Sequence, residues 1–289
     1  MTVLAIGTVQ FGLAYGVANQ TGKVPPNEVA AILDRAASRG IDTLDTAIAY
    51  GDSERRLGDI GVGGWRVVSK LPPIEDDCDD PVAWVHTSLA GSLSRLRVPK
   101  LKGLLIHRSQ DLLGRHGSGL YRGLLECRDT GKVEQIGVSI YNPEDLEVLL
   151  QQFDLDLVQA PFNIVDRRIA TSGWLARLHA SGIEVHVRSA FLQGLLLMNA
   201  LDRPARFARW QPLWDAWSNW LRENSLTPLQ ACLGFALAQP EINRVVVGVD
   251  GLPQFEQILA SAVMRDVVPP PSLTNSDPDL INPLSWITT

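Results

Sequence analysis

Short apolar runs alternate with helix-like segments along almost the whole chain, and this alternation constrains the fold more than any other feature. Strand-like runs fall at 3–7, 41–44, 66–69, 103–106, 135–139, 157–159, 184–187 and 244–247. Segments with helical spacing of apolar residues fall between them, at 26–38, 53–59, 81–96, 119–130, 143–151, 169–180, 228–238 and 253–263. Several open on Pro and close near Gly, as at Gly40, Gly131 and Gly182, the usual asymmetry of helix ends. Alternating strand and helix imply a parallel sheet. Eight units of roughly 36 residues imply closure into a (β/α)8 TIM barrel, a single α/β domain over 1–289. The competing architecture is an open, doubly wound sheet.

One unit is longer. A Trp-rich stretch (Trp210, Trp214, Trp217, Trp220) precedes the helix at Pro228, and 205–223 reads as a helix inserted after the seventh strand. Near-helical Trp spacing suggests packing against the barrel; the other reading is a wall of the substrate pocket. From about 267 the chain is Pro-rich and reads as an irregular tail, lying across a barrel mouth or trailing in solvent.

A net charge of −6 with no basic run argues against nucleic acid or an anionic membrane as partner. The first residues carry no basic leader region, and no apolar run approaches the roughly 18 residues of a membrane span. Cys78, Cys127 and Cys232 are odd in number and far apart, which suits a reducing cytoplasm better than a disulfide framework. A monomer and a homodimer both fit.

In a parallel barrel, chemistry sits at the carboxyl ends of the strands. Asp45 and Tyr50 follow the second strand, Lys70 ends the third and His107 ends the fourth. A phenol is a weak acid, with a pKa of about 10. A Lys ammonium close by favours phenolate and is expected to pull that value down by about two to three units. Asp45 would keep the Lys charged, and His107 would orient a substrate oxygen. Together the four make a proton donor for a carbonyl oxygen gaining negative charge. Singly each has a bland reading: Asp45 as a loop cap, Tyr50 as rim packing, Lys70 as a surface Lys, His107 as a satisfied semi-buried His. Competing motifs fail. The Gly-rich run at 61–64 precedes a strand instead of opening a helix, and no P-loop or H-E-x-x-H is present. The run from Gly137 to Tyr141 lacks the second Gly of a nucleophile elbow. The acidic run at 75–80 around Cys78 reads as solvated charge.

The stretch Asp45-Thr46-Ala47, Tyr50-Gly51, Ser53-Glu54 and Leu57-Gly58 resembles the signature of the aldo-keto reductases. Lys70 and Leu105-Ile106-His107 complete a match to that family's Asp–Tyr–Lys–His tetrad. Similarity extends from Gly7-Thr8 and Phe11-Gly12 through Gly137-Val138-Ser139, the segment from Val158 to Asn163 and Gly194-Leu195-Leu196, to Val247-Gly248 and Gln254. The resemblance implies an NAD(P)-dependent oxidoreductase that reduces a small aldehyde or ketone, with NADP(H) as the family default. Tyr50 would donate the proton, Lys70 lower its pKa, Asp45 anchor Lys70 and His107 polarise the carbonyl. Ser139 and Gln159 would hold the carboxamide, and Ser189, Gly194 and Leu195 would lie along the pyrophosphate. Gly248 and Gln254 would lie near the adenosine end, beside a helix N-terminus suited to phosphate. Gly7, Thr8, Asp45, Arg188 and Asp250 complete the expected cofactor surface.

Three departures from the family pattern bear on function. Ile140 stands where an Asn is usual and cannot bond the carboxamide. Arg188-Ser189-Ala190 replaces Tyr-Ser-Pro. A guanidinium can stack on a neutral dihydronicotinamide but repels the oxidised ring; its alternative targets are the cofactor phosphates or an acidic substrate. Finally, 245–264 contains no Lys or Arg, and Asp250 stands near where a 2′-phosphate would be gripped. NAD(H) is therefore open as the cofactor, unless Arg244 or Arg265 supplies the charge. Two further readings remain: an accessory nucleotide-binding protein with little turnover, and a redox-neutral isomerase acting on a sugar-like or anionic substrate.

Overall fold

The computed structural model describes residues 3–263 and 267–286. Eight parallel strands close into a barrel in chain order, with the last paired to the first. They are β1 (Val3–Gly7), β2 (Thr43–Asp45), β3 (Arg66–Leu71), β4 (Leu101–Ile106), β5 (Val133–Ser139), β6 (Leu157–Pro161), β7 (Glu184–Arg188) and β8 (Arg244–Gly248). Side chains alternate in and out along a strand. Val68 and Lys70 therefore share one face of β3, as Leu157 and Gln159 share one face of β6. Val68, Leu105 and Leu157 form a buried cluster of their own. Gly103 makes room for it, because a Cβ there would stand 3.2 Å from Leu157. The same parity, one step further along each strand, aims Lys70 and Gln159 into the carboxyl-end layer.

The surrounding helices include α1 (Pro26–Ser38), α2 (Ser53–Ile60), α3 (Pro81–Leu96), α4 (Gly117–Asp129), α5 (Asp145–Gln152), α6 (Trp174–Ala180), α7 (Gln211–Glu223), α8 (Pro228–Leu237) and α9 (Leu252–Ser261). Their start signals are physical. Asp80 caps α3 by accepting from the Val82 and Ala83 amides, and Thr227 forms a capping box with Gln230 on α8. On α1, Val29, Ile32, Leu33 and Ala36 make the buried stripe, the spacing of a half-buried helix.

Several expected boundaries shift. The second strand is 43–45 rather than 41–44, and the helix expected at 119–130 begins at Gly117. The helix expected over 169–180 is split into Arg168–Thr171 and α6, because Gly173 adopts φ 80 between them. The insertion holds a 3-10 turn (Ala205–Trp210) before α7, so its helix is shorter than 205–223. Trp214 and Trp217 are buried, and the Trp214 indole donates to the Phe207 carbonyl at 2.9 Å. None of the four tryptophans lines the cavity described below, so the packing reading holds and the pocket-wall reading does not.

The Pro-rich segment is not irregular throughout. It forms short helical turns at Pro271–Leu273, Pro278–Ile281 and Pro283–Trp286. Leu273, Leu280, Ile281 and Trp286 are buried, and the Trp286 ring meets Phe207 edge-on at 4.9 Å. Hydrophobic burial on the insertion fixes a segment that has no periodicity of its own. Leu284 reaches the cavity. Arg265 and the last three residues lie outside the described residues. Among the described residues no helix is long and apolar enough to cross a membrane, and the three cysteines are free.

Candidate active site

Tyr50 is placed by a loop that continues the pairing of β2 with β3. The Thr46 and Ile48 amides donate to the Val68 and Lys70 carbonyls, and Tyr50 N closes a turn onto Ala47. Gly51 takes φ 55 there, and Gly12 packs so closely that a Cβ would collide with the Tyr50 carbonyl. Ser53 donates to Thr8, and the Thr8 amide and hydroxyl both donate to the Asp45 carbonyl. The buried Glu54 carboxylate accepts from Ser69, Ser92 and Arg95, tying α2 to β3 and α3. Glu54 therefore braces the loop that carries Tyr50.

Lys70 is fully buried. Its Nζ lies 2.7 Å from Asp45 Oδ1 and donates to the Thr46 carbonyl at 2.9 Å. The other Asp45 oxygen accepts from Gln159 Nε2 at 2.7 Å. Lys70 Nζ lies 5.2 Å from the centroid of the Tyr50 ring. The Tyr50 and His107 rings meet edge-on with centroids 5.8 Å apart. The four strand-end groups are thus one assembly.

Its electrostatics differ from the expectation in one respect. Burial holds the Tyr50 phenol above its ordinary pKa, the Asp45 charge adds to this, and Arg188 is the cation that opposes it. Lys70, in contact with Asp45, is not among the groups that pull the phenol down. Lys70 is itself lowered by burial and held up by Asp45. His107 is pushed down to about 3 by burial first, then by Lys70 and Arg188. It is a neutral imidazole at ordinary pH, able to donate one hydrogen bond.

A cavity of about 400 Å³ runs from this assembly past the end of β7 to the loop after β8. Of the residues singled out in the sequence, Gly7, Thr8, Asp45, Tyr50, His107, Arg188, Ser189, Gly194, Gly248, Asp250 and Gln254 line it. Lys70, Ser139, Gln159 and Leu195 do not line it and lie buried behind the wall. Ile140 points into the apolar core, and its carbonyl accepts from Arg188 Nη2 at 3.0 Å. The loop after β7 is held in left-handed backbone at Ser189, Leu192, Gln193 and Gly194, a conformation unfavourable for the three non-glycine residues.

Other lining residues escaped the sequence reading. Tyr141 sits two residues beyond Ser139 and was legible only by its place after a strand end. Tyr15 and Asn19 lie on the long first loop and Gln10 in the short helical turn before it (Val9–Gly12), where no periodicity marks them. Asn19 Nδ2 donates to Asp250 Oδ1 at 2.7 Å, bridging the first and last loops. Burial raises the Asp250 pKa, while bonds from Asn19 and Gln254 oppose the shift.

The adenosine end carries two corrections. The α9 N-terminus expected to hold phosphate already meets a carboxylate, since the Leu252 amide donates to Glu28 Oε1 at 2.8 Å. Arg244 starts β8 at the opposite end of the barrel, bonded to Thr43 and near Asp42, so it cannot serve a phosphate here. Among the described lining residues, Arg188 is the one Lys or Arg.

The cavity wall fits a nicotinamide dinucleotide at Gly248 but not at Gln159, whose buried Oε1 has no hydrogen-bond partner yet lies behind the wall, out of reach of a carboxamide. A Cβ on Gly248 would come within 2.6 Å of the Gln10 amide, so glycine keeps that part of the wall open.

Fold and site together define a (β/α)8 barrel with an ionisable cluster at the carboxyl-end mouth. The family model for the aldo/keto reductase family matches residues 3–266. The chain is 24% identical to the uncharacterized oxidoreductase YqkF of Bacillus subtilis over 268 residues, 83% of each protein. It is 30% identical to an aldo-keto reductase of a Mycobacterium species over 184 residues, 61% of this chain and 63% of that one. A holo aldo-keto reductase structure from Bacillus halodurans superposes with a TM-score of 0.72 at 19% identity, covering 92% of this chain and 88% of that one. The chain belongs to the aldo/keto reductase family. Membership brings the oxidoreductase class, small-molecule substrates and, at the level of the family, NAD(P)H.

Proposed function

We propose that this chain reduces an aldehyde or ketone to an alcohol, with Tyr50 as the proton donor. The observation that carries the reading is the buried Asp45–Lys70 pair packed behind Tyr50 and His107 at the end of one cavity. A bound dihydronicotinamide supplies the hydride. Tyr50 keeps its proton at neutral pH and releases it to the carbonyl oxygen as that oxygen gains negative charge. Arg188 then stabilises the phenolate left behind. His107, neutral, donates a hydrogen bond that orients the carbonyl. Gln159 fixes Asp45 by donating to its second carboxylate oxygen.

We also propose NADH as the preferred cofactor. Asp250 and Glu28 place two carboxylates at the adenosine end, where a 2′-phosphate would be repelled and a ribose hydroxyl can donate. The test is NADH oxidation with a panel of aldehydes and ketones, with the alcohol quantified alongside. One alcohol formed per NADH consumed supports the reading. Tight cofactor binding with no turnover across the panel would replace it with an accessory, nucleotide-binding role, and conversion without net NADH loss with an isomerase.

A further inference from the structure

Arg188 enters the cavity from the end of β7 without an acidic partner among the described residues. Its Nη2 donates to the Ile140 carbonyl at 3.0 Å, its Nη1 stands 3.3 Å from Ser189 Oγ, and its guanidinium lies over the Tyr141 ring at 4.2 Å. These neutral partners occupy part of a five-donor fork. Lys70 and Asp45 cancel in contact, and burial keeps His107 and the phenols of Tyr15 and Tyr50 neutral near pH 7. The site end of the cavity therefore holds one uncompensated positive charge, in a partly desolvated place where it is costly alone. Asp250 does not neutralise it, being held at the other end by Asn19 and Gln254.

We propose that Arg188 is the anion-binding residue of the substrate pocket and that the substrates are carbonyl compounds carrying a carboxylate. This deepens the reductase reading and rests on it. A carboxylate matches both the charge and the planar fork of the guanidinium. A phosphate dianion would leave an excess negative charge, since no second Lys or Arg lies among the described lining residues. Arg188 is also close enough to act on Tyr50, Lys70 and His107. An anion on it brings the rest of the same small molecule to the proton donor. In the reaction the carbonyl carbon accepts hydride from the dihydronicotinamide, the oxygen takes the Tyr50 proton, and a hydroxy acid and oxidised nicotinamide result. Tyr50 regains its proton from water, and the carboxylate is unchanged.

The test compares 2-oxopropanoate, 4-oxobutanoate and 4-formylbenzoate with their methyl esters, in the wild type, Arg188→Met and Arg188→Lys. The wild type is expected to favour at least one acid over its ester in kcat/KM by about ten- to a hundredfold, the scale of a charge-assisted bond. In Arg188→Met that ratio should fall toward one, and Arg188→Lys should retain part of it. A wild-type ratio near one for all three pairs overturns the inference. So does a loss in Arg188→Met that is equal for acid and ester and matched by weaker NADH binding, which would assign Arg188 to the cofactor phosphates. Fluorescence titration with NADH reports that binding and the folding of each variant. If the wild type reduces no member of any pair, the reductase reading itself fails. Benzoate and benzamide then decide the anion site by thermal shift. Benzoate-specific stabilisation lost in Arg188→Met upholds it, and equal responses overturn it.

Discussion

Asp45→Asn isolates the charge that keeps Lys70 in the barrel. The substitution is nearly isosteric and need not break hydrogen bonds. The Asn oxygen can still accept from Lys70, and Gln159 can rotate its amide so that Oε1, which has no partner in the present arrangement, accepts from the new N–H2. What is lost is the counter-charge 2.7 Å from a fully buried ammonium. Removing one partner of a buried pair costs about 3–5 kcal/mol, or roughly two to four decades in the folded-to-unfolded ratio. That corresponds to a fall in Tm of roughly 6–20 °C for a chain of this size. The pH dependence distinguishes charge from packing. Burial already lowers the Lys70 pKa, and Asp45 is the main influence holding it up. In the variant it falls further, so the unfolded chain binds the proton over a wider range. Stability then rises with pH across that range. Urea denaturation should show the largest deficit at neutral pH and a smaller one near about pH 10. The double variant Asp45→Asn/Lys70→Met should recover most of the loss, because no charge is left unpaired. A deficit below about 1 kcal/mol, or one that does not change with pH, would refute the reasoning.

Two other consequences are open to direct measurement. His107 has a folded pKa of about 3 against about 6.5 unfolded, so its contribution is complete above the unfolded value. That contribution is lost as pH falls, by up to about 1.4 kcal/mol per unit. Denaturation curves across that range should flatten in His107→Gln, and an identical slope in both proteins would contradict this. Asp250→Arg should tighten NADPH relative to NADH by about tenfold or more, as a fluorescence Kd ratio, since it replaces repulsion of the 2′-phosphate by a charge-assisted bond. An unchanged ratio would mean that the 2′ position does not face Asp250.

The barrel was legible because its strands are buried on both faces and read as short apolar runs between helical patterns. Asp45, Lys70 and His107 were legible because polar residues that end such runs have few places to point except the mouth. Contacts made across the chain were not legible. Asn19 and Asp250 are 231 positions apart, and Glu28 reaches the Leu252 amide across 224; neither pairing leaves a trace in local spacing. The Pro-rich segment reads as irregular because its order comes from Leu273, Leu280 and Trp286 burying themselves. The direction of the Tyr50 shift was misread for a related reason. The sequence shows that a Lys is near and that Asp45 can pair with it, but not how deeply the phenol is buried.

The most direct test of the account is Tyr50→Phe, assayed for cofactor binding and turnover on the same preparation. The change removes the phenol oxygen and little volume, leaving the Asp45–Lys70 pair and the rest of the cavity wall in place. NADH should bind with a Kd close to that of the wild type, while turnover of a carbonyl substrate falls by about 10²–10⁴-fold. Turnover within a fewfold of the wild type, with NADH still bound, would contradict the assignment of Tyr50 as the proton donor.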